Sequence, residues 1–290
     1  MLDASLTTIS DVRQLMRIFL RHRFARLGLI GLFIIATTAL LGLLSLQVAG
    51  DSADLTAIYA APSWSHPFGT DHLGRDLLAR IFAGAHVSMG VALGATLVAF
   101  VFGCIYGLVA GMGPTMVDRG LMLLLDAMLS IPVLLLVIVS QAIGEASLLK
   151  MVLVIGLSSW MGTARLMRTE CKRLMQAEFV RAAICAGASH SALALRHVIP
   201  NAAAPLLVVM TVGIGQAILI ESTLSFLNLG VPVTLPSWGN LLANGMSSIL
   251  SGAWWVVLFP GMMIVITVLC INLVGDGLRD TVDPTRRASL

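Results

Sequence analysis

The sequence predicts an all-α membrane protein with six transmembrane helices and both termini in the cytoplasm. Of its 290 residues, 58% are hydrophobic and only 11% are charged, whereas a soluble domain carries about 25% charged residues. The mean hydropathy of the chain is +0.94. Because so few charged residues cannot cover a water-exposed surface, we expect the chain to lie in a lipid bilayer.

Six apolar stretches are long enough to cross a bilayer, since a helix needs roughly 20 residues to span about 30 Å of hydrocarbon. The third stretch is interrupted by Asp126 and Pro132, and the fifth contains Glu221. The six predicted spans are 27–49, 86–112, 119–143, 147–164, 203–226 and 253–275. Glycines recur within the spans, above all in 90–111, and small residues allow membrane helices to approach closely. A packed bundle is therefore predicted.

The segments before and between the first two spans have distinct compositions. Residues 1–26 are too polar for the core of a signal peptide and are predicted to form a cytoplasmic amphipathic segment. Residues 50–85 are predicted to form an external loop, with a short helix within 69–84 whose apolar stripe braces the spans. Residues 86–290 then form the core domain.

The basic residues fall on one side of the predicted spans. With the N-terminus in the cytoplasm, fifteen of the eighteen lysines and arginines lie on the cytoplasmic side. The other three, Arg75, Arg80 and Lys150, face outward, where acidic residues outnumber them. Since cytoplasmic loops are enriched in lysine and arginine, both termini are predicted to be cytoplasmic.

The longest predicted cytoplasmic segment between spans is 165–200. A helix is predicted from the start of this segment to about Ala186, after which Gly187 supplies the left-handed conformation that ends helices. Ser189 is a predicted N-cap of a second short helix, and Pro200 begins the return to the membrane. The segment forms either a protruding knob that contacts a partner or an amphipathic hairpin on the lipid headgroups.

The same segment resembles the EAA loop of ABC importer permeases, which has the form E-A-A, three residues, G, nine residues, I-x-L-P. The match consists of "AA" at 182–183, Gly187 and "IP" at 199–200, while Arg181 replaces the glutamate and His197 the first isoleucine. In that family the loop docks into a groove on an ATPase. The residues to which the resemblance assigns this docking are Arg181, Ala182, Ala183, Gly187, Ala188, Ser189, His190, Ile199 and Pro200.

Three further stretches resemble the second permease subunit of peptide, opine and nickel importers. They are 66–95, 221–242 and 272–284, and the resemblance extends over about residues 13 to 285. Two differences fall in one external loop, where Asn228 replaces the usual glycine and "VTL" at 233–235 replaces a proline-rich run.

The resemblance implies a type I ABC importer permease fold in a bacterial inner membrane. It also implies a heterodimer with a homologous permease subunit, two cytoplasmic ATPase subunits that bind ATP and Mg, and an external substrate-binding protein. The implied substrates are di- or oligopeptides, with nickel or a metal chelate as the alternative, because the binding protein sets most of the specificity. A different class, the ion-coupled secondary transporter, would show internal repeats, and none is seen in the sequence.

No catalytic or metal site is predicted within the chain. A P-loop requires a lysine after glycine and before serine or threonine, and neither Lys150 nor Lys172 has those neighbours. ATP hydrolysis is therefore assigned to partner subunits. An intramembrane serine enzyme built on Ser158 would need a nearby histidine base, and the fifth and sixth spans contain no histidine. The spacing of His66, His72 and His86 matches no compact metal-ligand pattern.

Two acidic residues lie at predicted membrane depth, Asp126 and Glu221. A charge there costs about 2.5–3.5 kcal/mol on insertion scales, so such residues face the interior of a bundle or a water-filled path. They are predicted either to lie on the translocation path or to join helices through a hydrogen bond or salt bridge.

Overall fold

The computed structural model describes Phe19 and residues 22–45, 53–232 and 234–282. Most of the predicted amphipathic segment 1–26 therefore lies outside the described residues, as does the C-terminal end of the predicted span 27–49. The described helices are α1 (Arg23–Ser45), α2 (Leu77–Met112), α3 (Thr115–Leu129), α4 (Val133–Ala142), α5 (Leu148–Ser159), α6 (Met161–Met175), α7 (Glu178–Cys185), α8 (His190–Leu193), α9 (Ile199–Phe226), α10 (Trp238–Gly245) and α11 (Trp255–Val282), with a π-helix at Ala194–Val198 and a 3₁₀-helix at Met246–Ile249. No β-strand is present in these ranges, and the all-α prediction is confirmed for them.

Four described helical stretches are long and apolar enough to cross a membrane, which confirms a multi-pass membrane protein. They are Arg23–Gly42, Leu77–Met112, His190–Phe226 and Trp255–Thr281. A fifth is obtained if α3 and α4, which meet at an angle of 77°, count as one bent span. The predicted number of six is not reached, because α5 has only 12 residues.

The third and fourth predicted spans differ from continuous helices for local reasons. Pro132 has no amide hydrogen and its ring excludes the preceding turn from helical geometry, so α3 ends at Leu129 and α4 begins at Val133. The fourth predicted span, 147–164, is divided at Trp160 into α5 and the start of α6.

The helix predicted within 69–84 does not form a separate element. Asp76 caps the N-terminus of α2 by accepting a hydrogen bond from the amide of Ala79 at 2.9 Å. From Leu77 the helix continues without a break through 36 residues, or about 54 Å at 1.5 Å per residue. The first turns of this helix brace the bundle as predicted, because Leu77 and Ile81 are fully buried against the start of α11.

Glycines on α2 allow the close helix packing that the sequence predicted. A Cβ atom on Gly103 would lie 2.7 Å from the carbonyl oxygen of Trp160, and one on Gly107 would lie 2.4 Å from that of Ala164. One turn later, a Cβ atom on Gly111 would lie 2.6 Å from the Cβ atom of Cys171 on α6. A side chain at any of these positions would separate α2 from α6.

Contacts between distant residues define two ends of the bundle. At the first end, where α1 begins and α11 finishes, His22 Nε2 lies 3.5 Å from Asp280 Oδ2. At the second end, the loop before α2 covers the start of α11. There the Trp255 indole donates to the carbonyl of Thr70 at 3.2 Å, and Phe68 stacks on Phe259 with ring centroids 4.1 Å apart.

Candidate functional site: an exposed helical knob and a cavity

The segment after α6 forms a protruding knob, defined here as residues 178–193. The prediction of one helix to about Ala186 is wrong in one respect, because the helix is interrupted between Met175 and Glu178. Ala177 has extended backbone angles (φ −68°, ψ 143°) and so divides the segment into α6 and α7. Because of this interruption, α7 does not continue along the axis of α6. Val180, on α7, is fully buried.

Gly187 forms the turn at the tip of the knob, as predicted, with φ +83°. The amide of Ala188 donates to the carbonyl of Ala183 at 3.0 Å, and that of Gly187 donates to Ile184 at 2.9 Å. These two bonds form a Schellman motif, which satisfies carbonyls that a helix terminus otherwise leaves unpaired. The turn is therefore specified by its glycine.

The second helix of the knob begins at the predicted cap. Ser189 Oγ accepts a hydrogen bond from the amide of Ala192 at 3.3 Å. The predicted short second helix is not a separate element, because the π-helix Ala194–Val198 joins α8 to α9 without a break. Pro200 lies in the first turn of α9, close to the predicted point of return to the membrane. Any displacement of the knob would therefore reach α9 through continuous helix.

Most of the predicted docking residues lie on the surface of the knob and at the start of α9. Ala183 and Ala188 are half-buried. The other predicted residues are exposed, namely Arg181, Ala182, Gly187, Ser189, His190, Ile199 and Pro200. Phe179 and Ile184 add exposed apolar surface next to them. An exposed apolar patch around small side chains is typical of a surface that contacts a partner.

Ion pairs join α6, which carries the knob, to α3. The Arg168 guanidinium donates through two nitrogens to the Asp118 carboxylate, and Lys172 Nζ donates to the same group. Hydrogen bonding to Asp118 raises the pKa of the Arg168 guanidinium above its ordinary value. Asp126 lies two turns further along α3 and accepts from Arg165 Nη2 at 2.6 Å.

The two predicted acidic residues have very different surroundings. Asp126 and Arg165 are exposed, with 61% and 55% of their side-chain surfaces accessible, whereas Glu221 is fully buried. The carboxylate of Glu221 accepts hydrogen bonds from Ser225 Oγ at 2.8 Å, from Ser88 Oγ at 3.1 Å and from Ser222 Oγ at 3.3 Å. Both acids therefore join helices in this structure, and their place on a translocation path stays a prediction.

A cavity of about 970 Å³ lies between α2, the α5–α6 region and α9. Neither Asp126 nor Glu221 lines it. Its polar lining residues are Thr96, Ser159, Thr163, Glu170, Arg173, Asn201, Gln216 and Arg279. None of these residues was predicted from the sequence. Thr96 and Gln216 could have been found as polar residues inside predicted spans, but their convergence on one cavity depends on helix packing.

No metal centre is found in the part of the chain that the structure describes, since no group of three or more His, Cys, Asp or Glu side chains there is placed to hold an ion. His66 Nδ1 instead lies 2.9 Å from Asp76 Oδ2, beside the start of α2.

Comparison with known proteins identifies the family of this chain. Residues 99–288 match the family described as "Binding-protein-dependent transport system inner membrane component". A peptide transport system permease protein of Brucella abortus is 38% identical over 270 residues, which cover 92% of this chain and 90% of that protein. The oligopeptide transport system permease protein OppC of Bacillus subtilis is 34% identical over 271 residues, which cover 92% and 88%. The chain therefore belongs to the ABC importer permeases, the inner membrane components of binding-protein-dependent transport systems, as its motifs predicted.

Proposed function

We propose that this chain is the second permease subunit of an ATP-driven importer of di- or oligopeptides in the bacterial cytoplasmic membrane. It pairs with a homologous permease subunit, and the translocation path runs between the two. An external binding protein delivers the substrate, and two cytoplasmic ATPase subunits bind ATP and Mg and drive the conformational cycle. The relatives named as peptide permeases support peptides over nickel or a metal chelate.

The observation that carries this proposal is the exposed knob. Its two helices are stiffened by a Schellman turn and a serine cap, and its tip presents Ala182 and Gly187 to solvent. Small residues at the tip allow a partner surface to approach closely. Because the knob continues into α9 through helix, an ATPase that moved the knob would also move a wall of the cavity.

We further propose six membrane crossings with both termini in the cytoplasm. In this topology α3 and α4 form one bent crossing, and α5 forms a short crossing that α6 continues into the cytoplasm. The proximity of His22 and Asp280 supports an even number of crossings, because it places the start of α1 and the finish of α11 at the same end of the bundle. The knob is then cytoplasmic, and the loop before α2 is external.

Thiol labelling tests this topology. Ala61 and Ser189 are both exposed, so a cysteine at either position would react readily if it faced the reagent. In intact cells we expect an impermeant maleimide to label Ala61→Cys and to spare Ser189→Cys. The background should carry Cys185→Ser, because Cys185 is an exposed thiol on the knob. Equal labelling of the two variants before lysis would overturn the proposed topology.

The energy source is tested with the assembled complex in proteoliposomes. We expect labelled peptide to accumulate only when the ATPase subunits, the binding protein and Mg-ATP are all present. This permease without the ATPase subunits should show no ATP hydrolysis above background, because the chain has no P-loop sequence. Peptide accumulation driven by a proton gradient without ATP would favour the ion-coupled class instead. Accumulation of nickel but not peptide would favour the alternative substrate.

A further inference from the structure

We propose that Gln216, with Thr96 beside it, forms a neutral contact site for the main-chain amides of a peptide inside the cavity. This inference rests on the proposed peptide import and names the residues that meet the substrate. Gln216 lies in the middle of α9, is exposed, and lines the cavity. A polar side chain at this depth is costly to keep among lipid tails and marks a substrate path.

Thr96 lies on the facing helix, next to the turn of α9 that precedes Gln216. A Cβ atom on Gly213 would lie 3.3 Å from Thr96 Cγ2, and Gln216 follows Gly213 by three residues, on the same face of α9. All three residues line the cavity. The two helices therefore approach closely at Gly213, one turn before Gln216.

The Thr96 hydroxyl differs from the other threonine hydroxyls of the long helices. Thr211 and Thr223 of α9 each donate to a carbonyl of their own helix, at 2.7 Å in both cases, and Thr267 of α11 does so at 2.6 Å. Thr96 Oγ1 is buried and has no hydrogen-bond partner among the described residues. Buried polar atoms are almost always paired, so this hydroxyl, next to the cavity, lacks the partner that a bound ligand would supply.

The charges of the lining indicate the class of ligand. Glu170 accepts from the Arg173 guanidinium at 2.6 Å, so the one acidic residue of the lining is already neutralised, and Arg279 is the other charged residue of the lining. The lining contains no histidine, whose imidazole is the side chain that suits divalent nickel. A primary amide donates and accepts at once, so Gln216 can bond the N–H and C=O groups that every peptide carries, whatever its side chains.

A charge placed at Gln216 should therefore make transport depend on the charge of the peptide. The assembled importer, in proteoliposomes with its binding protein, would be given labelled Ala-Lys-Ala and Ala-Glu-Ala. We expect Gln216→Lys to lower the uptake ratio of the lysine peptide to the glutamate peptide about fivefold relative to wild type, and Gln216→Glu to raise it by a similar factor. These factors are of the order produced by unit charges several ångströms apart in a partly hydrated site. Because each ratio is compared with wild type, the preference of the binding protein cancels.

A second variant keeps the test decisive if a charged variant fails to assemble. We expect Gln216→Ala to reduce the uptake of both peptides about fivefold, whereas Leu219→Ala, three residues later on an exposed part of α9 outside the cavity lining, should leave uptake unchanged. Unchanged peptide ratios in assembled charged variants, or normal uptake by Gln216→Ala, would overturn the contact site. If wild type imports neither peptide, the proposed function fails instead.

Discussion

Replacement of Gly187 by valine is expected to abolish peptide uptake while the chain still inserts into the membrane. Gly187 has φ +83° at the tip of the knob, and no atom lies within 4 Å of the position that a Cβ would occupy. The substitution therefore causes no steric clash with neighbouring residues, and its effect is confined to the backbone. A β-branched residue is a genuine outlier at positive φ, and such strain costs on the order of 1–3 kcal/mol. The Schellman turn should open and change the angle between α7 and α8.

The chain offers a matched control for this substitution. Gly144, in the turn between α4 and α5, has φ +81°, and no atom lies within 4 Å of its Cβ position either. Gly144→Val introduces the same strain far from the knob along the chain, so it should retain ATPase subunits and most uptake. Gly187→Asn should also retain most function, because asparagine tolerates the left-handed conformation better than other residues.

Three measurements identify the step that fails in Gly187→Val. They are the amount of permease in membranes, the amount of ATPase subunit that copurifies with it, and peptide uptake. We expect a normal amount of permease with either lost ATPase subunits or ATP hydrolysis that moves no peptide. Normal copurification and normal uptake would contradict the docking assignment.

A bulky residue near the tip of the knob distinguishes between the two interpretations of this segment, a docking knob and a hairpin on the lipid surface. Ala183 is half-buried in the last turns of α7, and its carbonyl takes part in the turn. If the knob fits a groove, Ala183→Trp should disrupt coupling about as strongly as Gly187→Val. If it lies on headgroups, tryptophan should strengthen anchoring, since aromatic rings favour the interface, and uptake should stay nearly normal.

The sequence was informative where structure depends on local chemistry. Gly187 and Ser189 specify a turn and a cap through their own backbone and side-chain properties, and both were predicted correctly. The 77° bend between α3 and α4 was missed although Pro132 was visible, because hydropathy averaged over a window does not respond to a single helix-breaking residue. The interruption at Ala177 carries no glycine or proline signal. It accompanies the burial of Val180, which is a tertiary contact.

The contacts of Glu221 could not be predicted from the sequence, since they join residues far apart in the chain. Ser88 and Glu221 are separated by 133 positions, and no motif relates them. The acidic residue itself was identifiable from the cost of a charge at membrane depth. Whether that cost is offset by hydrogen bonds or by a water-filled path depends on which side chains the packed helices place around it.

Replacement of Glu221 by alanine is therefore expected to destabilise the permease severely. Three serine hydroxyls donate to this carboxylate in a fully buried site, and alanine would leave all three without their acceptor. Each buried unpaired group costs about 1–3 kcal/mol, so a total loss of roughly 3–5 kcal/mol is reasonable when some hydroxyls find new partners. A single loss of this size is a large fraction of the stability of most domains.

The damage should extend beyond the carboxylate to the second end of the bundle. Ser88 Oγ also accepts a hydrogen bond from the amide of Trp238 at 3.2 Å, and Ser225 Oγ accepts from that of Val231 at 3.3 Å. Glu221 orients both hydroxyls so that they can accept from these amides. Without it, the segment between α9 and α10 loses the attachment at Val231, and the first residue of α10 loses the attachment at Trp238. Glu221→Gln keeps one acceptor oxygen and should lose less stability than Glu221→Ala.

Asp126 provides the comparison that separates a structural role from a place on the translocation path. Its pair with Arg165 is exposed, and exposed ion pairs contribute about 0–1 kcal/mol to stability. The complex that carries Asp126→Ala should therefore have a melting temperature close to that of wild type. The measurement is the thermal stability of the purified complex in nanodiscs, together with peptide uptake by the same preparation. We expect Glu221→Ala to lower the melting temperature by several degrees or more and to reduce the amount of assembled complex. If it instead melts like wild type and fails only in uptake, Glu221 acts on the translocation path, and the hydrogen bonds to its carboxylate are not what holds α2 to α9.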